Sequence, residues 1–120
     1  MDRTLLIATL CTAISTTAGA GEVDIVDARA HNSGGGHYRF DVTLRHSDTG
    51  WDHYADAWQV LAPDGSLLGE RILYHPHEQE QPFTRSLSGV AIPPGTGYVM
   101  IRAHDKVHGY SNRQFRLDLP

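Results

Sequence analysis

The strongest constraint on the fold of this chain is the alternation of apolar and polar side chains along residues 38–45. A period of two residues is typical of a β-strand that buries one face. Similar short stretches follow along the chain, and they are separated by turn sequences rich in proline and glycine, as at residues 63–65 and 93–95. Because no segment shows a sustained helical period, the pattern predicts an all-β fold, a seven-stranded antiparallel sandwich.

The seven predicted strands each place apolar side chains on one face. The first begins at Val23, and the other six cover residues 38–44, 54–61, 67–74, 83–91, 99–103 and 115–119. The connection after the first strand carries His31 and His37 on either side of three glycines. If every strand crosses the sandwich once, successive connections alternate between its two ends. The connections after strands two, four and six then share one end.

Six of the eight histidines lie in the three connections that should share this end. These polar segments are residues 46–53, 75–82 and 104–112, about a quarter of the chain after residue 20, so the histidines are more concentrated there than random placement would make them. Neutral imidazole is the commonest metal ligand in proteins, and it also titrates near neutral pH. The cluster therefore predicts a metal site, with a pH-sensitive surface or a proton-transfer site as the alternatives.

The expected ligands come from all three segments, and three or four of them would bind one ion. They are His53, His75, His77, His104 and His108, with His46 and Asp105 in reserve. In His75-Pro-His77, the proline favours an extended residue before it, and side chains two apart on an extended chain point to the same side. His46 continues the apolar face of the second strand, so it is either a ligand or a capped core histidine.

His104, Asp105 and His108 are predicted to lie in a loop that ends at Gly109. Asp105 could bind the ion directly, or it could orient an imidazole by accepting a hydrogen bond from it. The alternative for each of the three segments is an ordinary polar loop whose histidines have no ligand.

The ligand types limit the identity of the metal. The one cysteine, Cys11, precedes the predicted mature chain, and Met100 is the only methionine after Met1. Cuprous copper prefers sulfur ligands, so a dedicated Cu(I) carrier is disfavoured. Three or four imidazoles with an optional carboxylate suit Zn²⁺ or Cu²⁺, and the sequence leaves the choice between those two open.

The first 20 residues predict a secretory signal peptide rather than part of the fold. Arg3 is followed by an apolar stretch over residues 5–15 and by the small residues Ala18, Gly19 and Ala20, as expected of a cleaved leader. Residues 21–120 would then form a single periplasmic or secreted domain with no membrane insertion after cleavage. The net charge of −4 disfavours nucleic acid or an anionic membrane surface as a partner.

Two other functions use the same loops. A non-metal module would recognise a protein or a glycan through exposed aromatic side chains, namely Trp51, Tyr54, Tyr74, Phe83 and Tyr110. A metal-dependent hydrolase would use Glu78 or Glu80 as general base. The sequence contains no Gly-x-Ser-x-Gly motif and no phosphate-binding glycine loop, so binding is better supported than catalysis and no catalytic residue is assigned.

Two resemblances carry information about the fold. Val99-Met-Ile-Arg-Ala-His-Asp105, with Tyr98 before it and Gly109 after it, resembles the sixth strand and following loop of immunoglobulin-like and fibronectin type III domains. Gly50-Trp-Asp-His-Tyr-Ala-Asp56, His75-Pro-His77 and Arg102-Ala-His-Asp105 resemble an uncharacterised family of small exported bacterial proteins. The resemblances imply a secreted immunoglobulin-like sandwich, and neither implies an activity.

Overall fold

A computed structural model describes residues 22–120, and these residues form β-strands and their connections only. The strands are β1 (Asp24–Gly34), β2 (His37–Arg45), β3 (Ala55–Leu61), β4 (Leu67–Ile72), β5 (Phe83–Ala91), β6 (Tyr98–Asp105), β7 (Gly109–Tyr110) and β8 (Phe115–Asp118). The predicted signal peptide lies outside the described residues and stays a prediction. Within residues 22–120, no helix is long and apolar enough to cross a membrane.

The strands form two antiparallel sheets. One has the order β1-β2-β5; in the other, β4, β3 and β6 are neighbours, and β7 and β8 both pair with β6. The prediction of an all-β antiparallel fold is confirmed, but the count of seven strands is wrong, because β7 is an eighth. Gly109 adopts a positive φ of 75°, which lets the chain turn back so that Asp105 pairs with Gly109.

The two sheets share one hydrophobic core. The strands that line it show the predicted alternation of buried and more exposed side chains. In β2 the fully buried apolar residues are Phe40, Val42 and Leu44, and in β6 they are Val99, Ile101 and Ala103. Trp58 and Val60 of β3 are also fully buried between the sheets. Burial of these apolar side chains is the main source of stability for the fold.

Three predicted strand boundaries differ from the structure by two residues or more. His31 and His37 were predicted to lie in the connection after the first strand, but β1 continues to Gly34 and His37 begins β2, and His31 pairs with Arg39 across a tight turn. The fourth strand ends at Ile72 rather than at residue 74. The sixth strand extends through His104 and Asp105, which were predicted to lie in a loop, because β6 stays paired with β3 up to Asp105.

The three histidine-bearing segments meet at one end of the two sheets, as the alternation of ends predicted. The backbone N–H of His46 donates a hydrogen bond to the Gln81 side-chain oxygen at 2.9 Å. The backbone N–H of Lys106 donates to the Tyr54 carbonyl oxygen at 3.1 Å. These bonds join the connections after β2, β4 and β6.

The core should respond to truncation in proportion to burial. Leu44 is fully buried and Leu67 is 56% exposed, so the two leucines provide a matched pair. Leu44→Ala should lower the free energy of unfolding by about 2–5 kcal/mol, and Leu67→Ala by less than about 1 kcal/mol. Urea denaturation followed by tryptophan fluorescence measures both values, and equal losses would contradict the placement of the core.

Candidate metal centre

Within the described residues, one group of at least three histidine, cysteine, aspartate or glutamate side chains could hold a metal ion. It consists of His46, His53 and Asp105, and one ligand atom from each lies within 4.8 Å of the others. His46 Nε2 lies 3.6 Å from Asp105 Oδ2, and His53 Nε2 lies 3.5 Å from Asp105 Oδ1. The three side chains come from the end of β2, the β2–β3 connection and the end of β6.

Strand alternation brings two of these side chains to the inner side of the sheets. Asp105 has the same parity as Ile101 and Ala103 in β6 and is fully buried. His46 follows β2 with the parity of Leu44 and is only 3% exposed, in line with its predicted inward position. The end of β2 in one sheet lies opposite the end of β6 in the other, and the imidazole of His46 therefore contacts the carboxylate of Asp105.

Asp105 is held in its ionised form. It accepts hydrogen bonds from the backbone N–H groups of Val107 at 2.8 Å and His108 at 2.6 Å, and His108 Nδ1 lies 3.2 Å from both of its oxygens. Burial raises the pKa of Asp105, but the hydrogen bonds from His108 and Val107 and the charge at His108 outweigh this and hold the pKa below its ordinary value of 3.8. The site therefore contains a buried negative charge at neutral pH.

A second buried carboxylate, Asp48, orients His46. Asp48 Oδ1 lies 2.5 Å from His46 Nδ1 and accepts a hydrogen bond from the Ala55 backbone N–H at 3.1 Å. Because an ionised carboxylate is only an acceptor, the proton between the two groups belongs on His46 Nδ1. His46 Nε2 is then directed at Asp105 from the opposite side of the ring.

His53 and His108 form the solvent side of the group. The His53 ring centroid lies 4.8 Å from that of His46 and 5.0 Å from that of His108. His53 Nε2 is buried and has no hydrogen-bond partner. The side chains of His53 and His108 are 23% and 35% exposed, so this side offers access to the buried carboxylate.

His75 and His77 form a separate pair. Their ring centroids are 5.0 Å apart, and the His77 ring stacks on Phe83 at 4.0 Å. His77 is buried while His75 is exposed. The pair borders the metal-site group through Asp48, whose Oδ2 lies 4.0 Å from His77 Nδ1.

His104 lies on the outer face of its sheet, away from Asp105. Its Nδ1 is 2.5 Å from Asp56 Oδ1, and its ring makes an edge contact with Tyr110 at 4.7 Å. Adjacent residues of a strand point to opposite faces, so His104 and Asp105 diverge once β6 extends through both. The alternation from residue 99 onward is the sequence signal that separates the two.

Sequence reasoning did not identify Asp48. It lies two residues after His46 in a loop, where no periodicity indicates which way a side chain points. Two of the aromatic residues predicted to contact a partner are also buried, since Tyr54 is 7% and Phe83 is 1% exposed. Trp51, Tyr74 and Tyr110 remain exposed.

Comparison with known proteins gives one informative relative. The chain is 43% identical over 97 residues to a protein of Halomicrobium mukohataei named "Putative lipoprotein". The similarity covers 81% of this chain, which spans about half (47%) of the length of that curated relative. No family model matches the chain, and no solved structure matches it.

The lowered pKa of Asp105 predicts how stability depends on pH. A carboxyl group whose pKa is lower in the folded state stabilises that state above the unfolded pKa, and the contribution is lost as the pH falls through the folded pKa. The free energy of unfolding should therefore fall more steeply below pH 3.8 for the metal-free wild-type protein than for Asp105→Asn. Urea denaturation at a series of pH values measures both slopes, and a carboxyl-carbon NMR titration midpoint at or above 3.8 would contradict the assignment.

Proposed function

We propose that this chain is an exported protein of the cell envelope that binds one divalent transition-metal ion, Zn²⁺ or Cu²⁺. The ligands are His46 Nε2, His53 Nε2 and the Asp105 carboxylate. Export is supported by the similar protein named as a lipoprotein and by the leader predicted from the first 20 residues. The observation that carries the proposal is the convergence of these three ligand atoms within 4.8 Å.

The spacing of the ligand atoms supports a metal ion between them. Zinc bonds of about 2.0–2.2 Å in a tetrahedral site separate neighbouring ligand atoms by about 3.3–3.6 Å. The two distances from imidazole nitrogen to Asp105 oxygen, 3.6 and 3.5 Å, agree with this separation. They are longer than ordinary hydrogen bonds between nitrogen and oxygen. The largest distance between two ligand atoms of the group is at most 4.8 Å. It would have to shorten by only about 1 Å to reach the same range.

The charges at the site also support a cation. His53 Nε2 is buried next to a buried carboxylate and makes no hydrogen bond. In the neutral tautomer with the proton on Nδ1, Nε2 presents a lone pair, and a lone pair facing a carboxylate oxygen is repelled unless a positive charge lies between them. A divalent ion supplies that charge for both imidazoles and for Asp105 at once.

The contact between Asp48 and His46 matches the supporting shell that metal-bound histidines require. Such histidines donate the ring N–H that does not face the metal to a carboxylate or a carbonyl oxygen, which sets the tautomer and the ring orientation. His46 Nδ1 makes this contact with Asp48 at 2.5 Å.

The fourth coordination position faces the solvent side of the group. His108 lies there, and it or a water molecule would complete the coordination. The proposed ligand set does not include His75, His77 or His104. The ring of His77 contacts those of His75 and Phe83, and His104 contacts Asp56 rather than Asp105. All ligands are nitrogen or oxygen atoms, which suits Zn²⁺ and Cu²⁺ equally.

We also propose an immunoglobulin-like sandwich as the fold type that presents this site. Trp58 of the third strand is fully buried between the sheets, and a buried tryptophan on the third strand is a hallmark of immunoglobulin domains. In such a fold, the histidine-bearing connections lie at one end of the sandwich, as the antigen-binding loops of antibodies do.

Metal binding should stabilise the folded protein. With free Zn²⁺ or Cu²⁺ at about 100 times the dissociation constant, the metal-free protein should gain about 2.7 kcal/mol and show a higher melting temperature. His53→Ala should abolish most of this gain, because it removes one of the three ligands. His37→Ala, at the exposed start of β2 at the opposite end, is the matched control and should keep the gain.

Differential scanning calorimetry with and without each metal measures these shifts, and elemental analysis of protein purified without a histidine tag gives the stoichiometry. Absence of a shift in the wild-type protein, or an equal shift in His53→Ala, would falsify the ligand assignment.

The supporting role of Asp48 has its own test. Asp48→Asn removes the charge that His46 contacts, so metal affinity should fall about 10- to 100-fold, as for other residues that orient metal-bound histidines. Asp52→Asn, an exposed change in the same connection, should leave affinity unchanged. Competition titrations against a chromophoric chelator give both dissociation constants. Equal affinity of the two variants would show that Asp48 does not support the site.

Recognition of a protein or a glycan is the second candidate function. The side chains of Trp51, Tyr74 and Tyr110 are 65%, 72% and 47% exposed, and exposed aromatic residues are common at binding surfaces. This candidate requires partner binding that a chelator leaves unchanged. Hydrolysis has less support, because Glu80 binds Arg85 at 3.1 Å and lies outside the group of potential metal ligands.

A further inference from the structure

A small cationic pocket lies beside the candidate metal centre, between the end of β4 and the beginning of β5. Its volume is about 60 Å³, and it is lined by Arg71, Leu73, Tyr74, His75, His77 and Arg85. Two guanidinium groups and two imidazoles thus line one cavity, and its lining contains no carboxylate.

Backbone carbonyl oxygens hold both guanidinium groups in place. Arg71 donates to the carbonyl oxygens of Ser86 and Ile72, and Arg85 donates to that of Thr84 and to Glu80 Oε1. Each guanidinium has five N–H donors, and these bonds use two of them. Among the described contacts, three donors on each arginine are left for a ligand or water.

His77 supplies the second, independent observation. Its side chain is only 5% exposed, it lines the pocket, and neither ring nitrogen has a hydrogen-bond partner. Buried polar groups in native proteins nearly always have a partner. A buried imidazole with two unpaired nitrogens beside two arginines therefore points to an acceptor that binds in the pocket.

The electrostatic surroundings keep His77 neutral. Burial lowers its pKa, the positive charges of Arg85 and His75 lower it further, and the carboxylates of Asp48 and Glu80 only partly offset this, so the pKa lies below its ordinary value of 6.5. A neutral imidazole still carries one N–H donor. The pocket thus combines a positive field with a buried, neutral donor.

The size of the cavity limits the ligand to a few atoms. One water molecule needs about 10–15 Å³, so a volume of about 60 Å³ accommodates a carboxylate or a tetrahedral oxyanion. Arginine binds both kinds of anion with two parallel N–H donors.

We propose that this pocket binds a small oxyanion, which accepts hydrogen bonds from Arg71, Arg85 and the His77 imidazole N–H. The anion is either free, such as phosphate or sulfate, or a carboxylate carried by a larger molecule. The site does not require a metal ion. Glu80 occupies one N–H of Arg85 and competes with the ligand for it.

The test is a titration of the metal-free chain with sodium phosphate, sulfate or acetate at constant ionic strength, with chloride as the balancing anion. The ¹⁵N NMR signals of the His77 ring and of the arginine side chains report on binding. At least one oxyanion should give saturable shifts of the His77 signals. Saturation by acetate alone points to a carboxylate ligand, and saturation by phosphate or sulfate points to a free tetrahedral anion.

Four variants make the assignment specific. Arg71→Gln and Arg85→Gln should each weaken binding at least about tenfold, because each removes a charged bidentate donor. Glu80→Gln should tighten binding, because it frees Arg85. Arg116→Gln is the control, because Arg116, like Arg85, forms an ion pair at 3.1 Å, in this case with Asp118, but it does not line the pocket. This variant should bind the anion like the wild-type chain.

Two results would overturn the proposal. One is shifts that grow linearly with all three anions without saturating, since this indicates only a general salt effect. The other is the same loss of affinity in Arg116→Gln as in Arg85→Gln. Either result leaves the metal proposal untouched, because the metal ligands are not among the residues that line this pocket.

Discussion

The geometry of the histidine-rich end depends on one buried carboxylate, Asp48. Its Oδ1 accepts hydrogen bonds from His46 Nδ1 and from the backbone N–H of Ala55, and its Oδ2 accepts the backbone N–H of His77 at 2.7 Å. A buried charge is tolerated only when it is satisfied in this way. These bonds tie the end of β2, the start of β3 and the connection after β4 to a single side chain.

Asp48 also separates two environments of opposite charge. On the side of His46, the buried Asp105 makes the surroundings negative and suited to a cation. On the side of His77, Arg71 and Arg85 make the surroundings positive and suited to an anion. Imidazole serves both sides, because one ring nitrogen can be a metal ligand while the other, or the ring of another histidine, is a hydrogen-bond donor. The concentration of histidines is therefore consistent with two adjacent sites rather than one.

Much of the fold could be predicted because its signals are local. The alternation along β2 and the turn at residues 63–65 indicate strand and turn without knowledge of any partner. The features that the prediction missed depend on strand pairing. β7 exists because two residues pair with the edge of β6, and His31 belongs to β1 because it pairs with Arg39. Both pairings are between strands that follow each other in the chain, and they depend on backbone hydrogen bonds rather than on the alternation of side chains, so strand ends and short edge strands leave no periodic signal in the sequence.

For the candidate site, the sequence by itself determined that the His46 side chain points inward, because successive side chains of a strand point to opposite faces and His46 continues the alternation of β2. The same alternation directs Asp105 inward and His104 outward, but both residues were predicted to lie in a loop, so their directions followed only from the extension of β6. Only the tertiary structure decided which inward side chains meet across the two sheets, and that Asp48, rather than another loop residue, holds His46. The physical reason is that direction along a strand follows from backbone geometry, whereas contact between strand ends and loops follows from how the two sheets pack and from which buried groups can satisfy one another.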